Sequence, residues 1–123
     1  MRILFTSNLG GLGGGETSIL HIIKKLKEKH DVVLLCCEDG DLPTVAREEG
    51  IKVVIDNFKR KNIFMSFVNY VKLGKFDLIH HNECSTALLF GLFNVFAFRT
   101  RKNYWTCHGQ WYIFSKIKVF LLN

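Results

Sequence analysis

The chain has 123 residues, of which 48% are hydrophobic and 23% are charged. This length suits one domain, and the hydrophobic fraction is large enough for a packed core, which excludes a disordered chain. The net charge of +6 is uneven, because residues 1–58 carry seven basic and nine acidic side chains, whereas residues 59–123 carry ten and two. The second half also holds nearly all of the aromatic residues, so it suits an anionic partner.

In chain order, short apolar runs alternate with helical periodicity. The pattern predicts a strand over Arg2–Thr6, a helix over Glu16–Lys29, a strand over Val32–Cys37, a short helix from Pro43 to Gly50, a strand over Ile51–Ile55, a helix over Asn62–Leu73, a strand over Phe76–His80, a largely buried helix over Ser85–Phe98, a strand over Asn103–Cys107 and a helix over Trp111–Leu122. Five such repeats predict a Rossmann-like, doubly wound parallel sheet of about five strands in three α/β/α layers. Residues 1–123 form one such domain, and the apolar ending leads us to expect a longer protein.

The cysteines and the apolar stretches indicate a soluble, cytoplasmic chain. Cys36, Cys37, Cys84 and Cys107 form no Cys-x-x-Cys pair and show no metal-ligand spacing. Three of them lie in apolar runs, which favours reduced, packed thiols, with a disulfide as the alternative. The N-terminus turns polar too early for a signal peptide, and the longest apolar-rich stretch, Cys84–Phe98, is shorter than the roughly 18 residues that span a bilayer.

Glycine-rich or polar segments follow four of the predicted strands, and ligands of open parallel sheets bind at those strand ends. The first segment has five glycines in the six positions of Gly10–Gly15 and leads into a helix, an arrangement that suits phosphate. Glu16 occupies the position at which a P-loop has lysine, which argues against a nucleoside triphosphatase. An imperfect dinucleotide fingerprint, with Glu38 near the ribose position, leaves an NAD(P)-dependent oxidoreductase as an alternative. A simple packing turn is the remaining interpretation.

Histidines follow two other strands. His108 precedes Gly109, which leaves room for a ligand, and its imidazole can donate to a sugar hydroxyl or a phosphate or accept a proton. His80 and His81 point to opposite sides of their strand, so at most one of them faces the cleft. We expect no metal site, because adjacent histidines cannot both ligate one ion comfortably and no carboxylate pair completes the set.

These ordered motifs resemble the N-terminal domain of a GT-B-fold retaining glycosyltransferase, similar to glycosyltransferase family 4. Gly13-Gly14-Gly15-Glu16 is similar to that family's Gly-Gly-x-Glu element, Phe76–His80 to its aspartate-apolar-apolar-histidine strand, and Thr106–Gly109 to its Thr-x-His-Gly strand end. The likeness covers nearly the whole chain. Two positions depart from it: Thr17 stands where many relatives have arginine, and Asn82 stands where many have a second histidine.

The resemblance implies an enzyme that transfers a sugar from a nucleotide-sugar donor to a glycan or lipid-linked acceptor with retention. It implies His108 as the catalytic residue, which holds the donor sugar. The loop that contacts donor phosphate or acceptor would comprise Gly13, Gly14, Gly15, Glu16 and Thr17. The residues that bind the acceptor or sugar would be His80, Asn82, Glu83 and Gly109. No cofactor or metal is expected beyond the nucleotide-sugar substrate. The C-terminal nucleotide-binding domain is absent, so we expect this chain alone to be inactive and to need that domain in cis or as a partner chain.

The basic, aromatic half then predicts peripheral attachment to an anionic membrane surface on the cytoplasmic face. Lys59-Arg60-Lys61 precedes a helix with Phe64, Phe67 and Tyr70, and Trp111–Phe114 opens another. The alternative is that these aromatics belong to the core and the lysines to a solvated face. Nucleic acid is not expected, because no recognition motif accompanies the charge. A freestanding binding or partner subunit is the non-enzymatic alternative.

Overall fold

The structure is a computed structural model that describes residues 1–57, 63–97 and 103–105. Within these residues, strands and helices alternate strictly, as predicted. They are β1 (Arg2–Ser7), α1 (Gly14–Leu26), β2 (Asp31–Cys36), α2 (Asp41–Glu48), β3 (Lys52–Ile55), α3 (Ile63–Lys72), β4 (Leu78–His81), α4 (Cys84–Ala97) and β5 (Asn103–Trp105). The helix predicted over 111–122 lies outside the described residues.

The strands form one parallel sheet in the order β3-β2-β1-β4-β5. The chain moves outward from β1 to β3 and then returns past β1 to form β4 and β5. Thr6 of β1 pairs with Leu35 on one side and with His81 on the other, so β1 and β4 end at the same level. The direction of the chain therefore reverses between β1 and β4, which is where open α/β sheets bind their ligands. The predicted doubly wound sheet is confirmed.

Helices cover both faces of the sheet, so the molecule has two apolar cores and three layers. Alternating side chains of a strand point to opposite faces, and Leu4 and Phe5 of β1 accordingly enter different cores. Helices α1 and α2 close the first core, and α3 and α4 close the second. Strands β1 and β2 are covered on both faces, which explains why their sequences are continuous apolar runs.

Most element boundaries differ from the predicted ones by one to three residues, and two of these differences illustrate why. Helix α1 begins at Gly14, two residues before its predicted start, because glycines of low helix propensity give no periodic signal. Strand β4 begins at Leu78 instead of Phe76. The preceding Asp77 bonds Arg2 of β1 twice: its backbone amide donates to the Arg2 carbonyl at 2.9 Å, and its carboxylate accepts the Arg2 amide at 2.7 Å.

The prediction that the helix over Ser85–Phe98 is largely buried is wrong for its outer face. Helix α4 buries Phe90 and Phe93 in the second core, but Val95 and Phe96 are 64% and 71% exposed. The helix is apolar nearly all round, so its periodicity does not reveal which side packs. Only the position of the sheet determines the buried side.

The aromatic side chains of α3 divide between core and surface. Phe67 packs edge-on against Phe93 with ring centroids 5.4 Å apart, and the buried Tyr70 donates a hydrogen bond from its hydroxyl to Asn94. Phe64, by contrast, is 73% exposed. The core interpretation therefore holds for Phe67 and Tyr70 but not for Phe64.

The described cysteine side chains fit the expectation of reduced thiols. Cys36 and Cys37 are both buried, and Cys36 is a free thiol. Burial, with a smaller contribution from Cys37, raises the pKa of Cys36 to about 12. Cys36 is therefore a protonated packing residue at neutral pH.

Candidate functional site

The candidate site lies at the carboxyl edge of the sheet, where the loop between β1 and α1 meets the loop between β4 and α4. The Asn82 amide nitrogen of the backbone donates to the Thr6 carbonyl at 3.0 Å and so extends the pairing of β1 and β4 by one residue. Glu83 is the next residue, and its side chain faces the loop that follows β1.

Glu83 joins the ends of the two strands. Its carboxylate accepts hydrogen bonds from the Ser7 hydroxyl at 3.2 Å, from the Asn8 backbone amide at 2.9 Å and from the Asn82 side-chain amide at 3.0 Å. Burial raises the pKa of Glu83, and the hydrogen bond from the Asn8 amide is the largest effect that opposes this. The negative charge of Glu16 raises it further.

Glu16 enters the same cluster from the first turn of α1. It is 7% exposed, and its carboxylate accepts a hydrogen bond from the Asn82 side-chain amide at 3.2 Å. The Asn82 amide therefore lies between two carboxylates, those of Glu16 and Glu83. We call Ser7, Glu16, Asn82 and Glu83 the edge cluster. It ties the start of α1 to the β4–α4 loop.

The glycines of the β1–α1 loop differ in what surrounds them. A Cβ at Gly10 would lie 2.6 Å from the Asp39 carbonyl oxygen, because the loop packs backbone to backbone against the start of α2. The Leu42 amide donates to the Gly10 carbonyl at 2.8 Å across this contact. A Cβ at Gly11 or Gly14, in contrast, would meet no atom within 4 Å. Packing accounts for Gly10, whereas the space at Gly11 and Gly14 is open to a ligand.

The start of α1 presents backbone amides to this open space. Gly13 is the N-cap residue, and within the described residues no side chain caps the helix there. The first intrahelical bond runs from the Thr17 amide to the Gly13 carbonyl at 2.9 Å, and the Thr17 side chain is exposed. Uncapped amides at a helix N-terminus attract anions. The Glu16 carboxylate lies at this same helix start: one of its oxygens is 2.7 Å from the position of a Cβ at Gly13, and the other accepts the hydrogen bond from Asn82.

The two histidines of β4 lie on opposite sides of the sheet, as alternation predicts. His81 is fully buried, where its ring stacks near Phe90 and its Nδ1 is 2.9 Å from the Thr6 hydroxyl. His80 packs edge-on against Phe5, with ring centroids 5.1 Å apart. It lines an apolar groove of about 440 Å³ beside α1, together with Ile3, Leu78 and Tyr104. The structure thus places His80 in this groove, away from the edge cluster.

Of the remaining predicted site residues, Gly13, Glu16, Asn82 and Glu83 are brought together at the carboxyl edge, with Gly14, Gly15 and Thr17 at the start of α1. His108 and Gly109 lie outside the described residues. Sequence reasoning missed Ser7, the last residue of β1, which donates to Glu83. Its one signal is a small hydroxyl residue at the end of a strand whose centre, Ile3–Phe5, is apolar.

Across residues 1–57, 63–97 and 103–105, no group of three or more histidine, cysteine, aspartate or glutamate side chains could hold a metal ion. Over the same residues, no helix combines the length and the apolar character that a membrane span requires.

Comparison with known proteins agrees with this architecture. A family model for Glycosyltransferase Family 4 matches residues 12–122. The structure of Anabaena Alr3699/HepE in complex with UDP-glucose is similar, with a TM-score of 0.74 and 20% identity over 100% of this chain and 35% of that one. Its complex with UDP gives a TM-score of 0.71 and 18% identity over 99% and 34% of the two chains.

The apo form of the lipopolysaccharide outer core galactosyltransferase WaaB is also similar, with a TM-score of 0.61 and 18% identity over 85% of this chain and 33% of that one. The chain thus spans about a third of the length of these solved structures. At these identities the likeness concerns the fold alone. No curated protein matches the chain.

Proposed function

The chain belongs to Glycosyltransferase Family 4, and we propose that it is the N-terminal, acceptor-side domain of a retaining GT-B enzyme. That enzyme would transfer a sugar from a nucleotide-sugar donor to a glycan or lipid-linked acceptor. The observation that carries the proposal is the edge cluster, which lies at the switch point between β1 and β4 beside an uncapped helix start. Family membership favours this class over the oxidoreductase alternative.

The donor would be held mainly by a second domain. HepE is solved with UDP and with UDP-glucose, and the present chain corresponds to about a third of that protein. We therefore assign nucleotide binding to a C-terminal domain that is supplied in cis or by a partner chain. Residues 1–123 would constitute one domain that binds acceptor and closes half of the cleft, without turnover of its own.

The start of α1 would bind the diphosphate of the nucleotide-sugar donor. Charge develops on the leaving group as the glycosidic bond to the nucleotide breaks, and fixed dipoles aimed at that charge lower the barrier. The Gly14 and Gly15 amides are candidates for this role, since a ligand can approach Gly14 without steric hindrance. Thr17, where relatives often have arginine, offers a hydroxyl instead of a cation. Part of the charge would then be neutralised by the second domain.

The acceptor side would be formed by Asn82 and Glu83, whose positions are fixed by the edge cluster. The family resemblance assigns His108 to a hydroxyl of the donor sugar, with Gly109 leaving room beside it. Holding donor and acceptor in one orientation is the main contribution that such residues make to the rate. His80 is not part of this proposal, because its ring packs against Phe5 beside the apolar groove.

We place the enzyme in the cytoplasm, where nucleotide sugars are at hand, and expect it to meet a lipid-linked acceptor at the membrane. The support is the basic second half of the sequence and its resemblance to a family with such acceptors.

The test uses the full-length natural protein with a panel of UDP- and GDP-sugars and lipid-linked acceptors. We expect transfer with retention, read from the anomeric configuration of the product by NMR. His108→Ala should lower turnover roughly a hundredfold with an unchanged melting temperature. His21→Ala on the exposed side of α1 is the matched control.

Wild-type turnover in His108→Ala would assign that histidine a structural role. Saturable enhancement of NADH fluorescence that is lost on replacing Gly13 or Gly15 would instead favour the oxidoreductase. A stop codon after Asn123 with no partner domain encoded nearby would contradict the two-domain enzyme.

A further inference from the structure

Asn82 belongs to the candidate site but lies beneath its surface. The residue is 2% exposed, whereas Glu83 beside it is half-buried and Asn8 is exposed. The Asn82 backbone amide donates to the Thr6 carbonyl at 3.0 Å, so the residue is held at the end of β1. A substrate that reaches the carboxyl edge of the sheet can therefore contact Glu83 but not Asn82.

The side-chain amide of Asn82 spends both of its hydrogens on carboxylates. It donates to Glu16 Oε1 at 3.2 Å and to Glu83 Oε1 at 3.0 Å. Ionised carboxylates only accept hydrogen bonds, so the amide nitrogen, and not the amide oxygen, must face the two of them. A primary amide has no further hydrogen to donate to a substrate. Any effect of this amide group on a substrate must pass through Glu16 or Glu83.

The two other donors to Glu83 fix its carboxylate less firmly. The Ser7 hydroxyl has a single hydrogen, and its oxygen lies 3.1 Å from the Leu9 carbonyl oxygen and 3.2 Å from Glu83 Oε1. It can serve only one of these acceptors at a time. The Asn8 amide, which binds Glu83 Oε2 at 2.9 Å, belongs to an exposed residue. Among the described donors to Glu83, the Asn82 amide is the one that a second carboxylate and a strand both hold in place.

Glu83 retains room for one more hydrogen bond. A carboxylate offers about four lone-pair positions. Within the described residues, Oε1 accepts two hydrogen bonds and Oε2 accepts one. The position that remains is on Oε2, next to the exposed Asn8. The surrounding segments, residues 8–23 and 80–98, contain no lysine or arginine that could fill it. A hydroxyl group of an acceptor sugar could donate to this oxygen.

We propose that Asn82 is a positioning residue, which fixes the Glu83 carboxylate so that Oε2 accepts a hydrogen bond from the attacking hydroxyl of the acceptor. This inference rests on the proposed function and narrows the role of Asn82, because the residue acts through Glu83 without touching the acceptor. The bond to Glu16 ties the same amide to the start of α1, so the carboxylate is placed relative to the proposed diphosphate site. The orientation of reacting groups makes a large contribution to the rate.

The experiment measures steady-state kinetics of the full-length natural protein with a nucleotide sugar and an acceptor that support transfer. Asn82→Ala should raise the KM for the acceptor at least about tenfold. The KM for the donor should change less than about threefold, because the start of α1 is also held by its own backbone bonds. Asn82→Asp fills the same space but cannot donate at neutral pH, so it should raise the KM for the acceptor at least as much.

The matched control is Tyr70→Phe, which removes a buried hydroxyl that donates to Asn94 in the second core. It should change both KM values less than about twofold, because it alters a buried hydrogen bond away from the edge cluster. Circular dichroism establishes that each variant is folded at the assay temperature.

A double-mutant cycle tests whether Asn82 acts through Glu83. Glu83→Gln alone should lower kcat/KM for the acceptor at least about tenfold. Adding Asn82→Ala to Glu83→Gln should lower kcat/KM by no more than about a further twofold, because the carboxylate that Asn82 positions is already gone. A residue that only supports the fold would lower kcat/KM by the same factor in both backgrounds.

An unchanged KM for the acceptor in Asn82→Ala, wild-type kinetics in Asn82→Asp, or multiplicative losses in the double variant would overturn the inference. Transfer by the wild-type protein would in each case leave the proposed function standing. Absence of transfer by the wild-type protein with every donor and acceptor of the panel would instead contradict the proposed function, and the inference with it.

Discussion

The side-chain amide of Asn82 donates to Glu16 at 3.2 Å and so links the first turn of α1 to a loop 66 residues further along the chain. The same nitrogen donates to Glu83 at 3.0 Å. One neutral donor thus separates two carboxylates at the edge where β1 and β4 end. The order of the strands, and not their proximity in sequence, creates this relationship.

Replacing Asn82 with aspartate should destabilise the domain at neutral pH. Asn82 is 2% exposed, and the new carboxylate would face Glu16 and Glu83 without a proton to donate. We expect the free energy of unfolding in urea to fall by about 1 to 3 kcal/mol at neutral pH and by less in acid, where a protonated aspartic acid can donate.

The matched control is Asn69→Asp, which removes an amide donor to Asp56 on the exposed side of α3. This variant should lower the free energy of unfolding by no more than about 0.5 kcal/mol. If both variants lowered the free energy of unfolding equally, the burial of Asn82 would not contribute to the cost of its replacement.

The raised pKa of Glu83 predicts a pH dependence of stability. Burial makes the folded protein hold the Glu83 proton to a higher pH than the unfolded chain does. The contribution of Glu83 to the stability of the fold is therefore fully present at pH values below its ordinary pKa of 4.5. It is lost as the pH rises through the folded pKa. The unfolding free energy of wild type minus that of Glu83→Gln should fall over this interval and then become constant.

Glu49 provides a control of opposite sign. Hydrogen bonds from Lys24 and then Lys27 lower the pKa of Glu49, so its contribution is present above the ordinary value and is lost as the pH falls through the folded pKa. The difference between wild type and Glu49→Gln should therefore grow with pH. Parallel curves for the two variants would contradict the assignment of the Glu83 shift to burial.

Two glycines of the β1–α1 loop should respond differently to alanine. Gly10→Ala brings a Cβ within 2.6 Å of a backbone carbonyl, and it should lower the unfolding free energy by about 1 to 3 kcal/mol. Gly14→Ala places its Cβ in open space within α1 and should leave stability unchanged or slightly higher. If the helix start binds substrate, Gly14→Ala should nonetheless raise KM in the full-length enzyme. Unchanged kinetics would remove Gly14 from the proposed phosphate site.

Cys36 should be unreactive in the folded protein. With a pKa of about 12, raised by burial, only about one thiol in 10⁴ is ionised at pH 8. Iodoacetamide should label Cys36 in urea but not in native buffer, as measured by peptide mapping. Labelling in the folded state at the rate of the unfolded chain would show that this strand opens readily.

Sugar transfer by the full-length enzyme should persist in EDTA. The family resemblance assigns the donor diphosphate to basic side chains of the second domain and to the amides at the start of α1, so no divalent ion is expected to take part. The measurement is product formation after dialysis against EDTA, with and without added magnesium. Loss of transfer that magnesium restores would overturn this expectation.

How much of the site could be predicted from sequence depends on the range of the contacts involved. The glycine-rich loop, Glu16, Asn82 and Glu83 were identifiable because each follows or precedes a recognisable strand or helix. That Glu16 and Glu83 share one amide donor was not, since this requires β4 to lie beside β1. His80 shows the same limit: its position after an apolar run suggested a site residue, but the tertiary structure turns its ring toward Phe5.

The sequence by itself determined the alternation of strands and helices and the doubly covered sheet, because apolar periodicity is a local property that each segment carries alone. The tertiary structure alone decided which strand ends meet and which side of α4 remains exposed. Both depend on what packs against a segment. The sequence of a helix as uniformly apolar as α4 does not show which side is buried. Parallel strands that are neighbours in the sheet can be far apart in the chain.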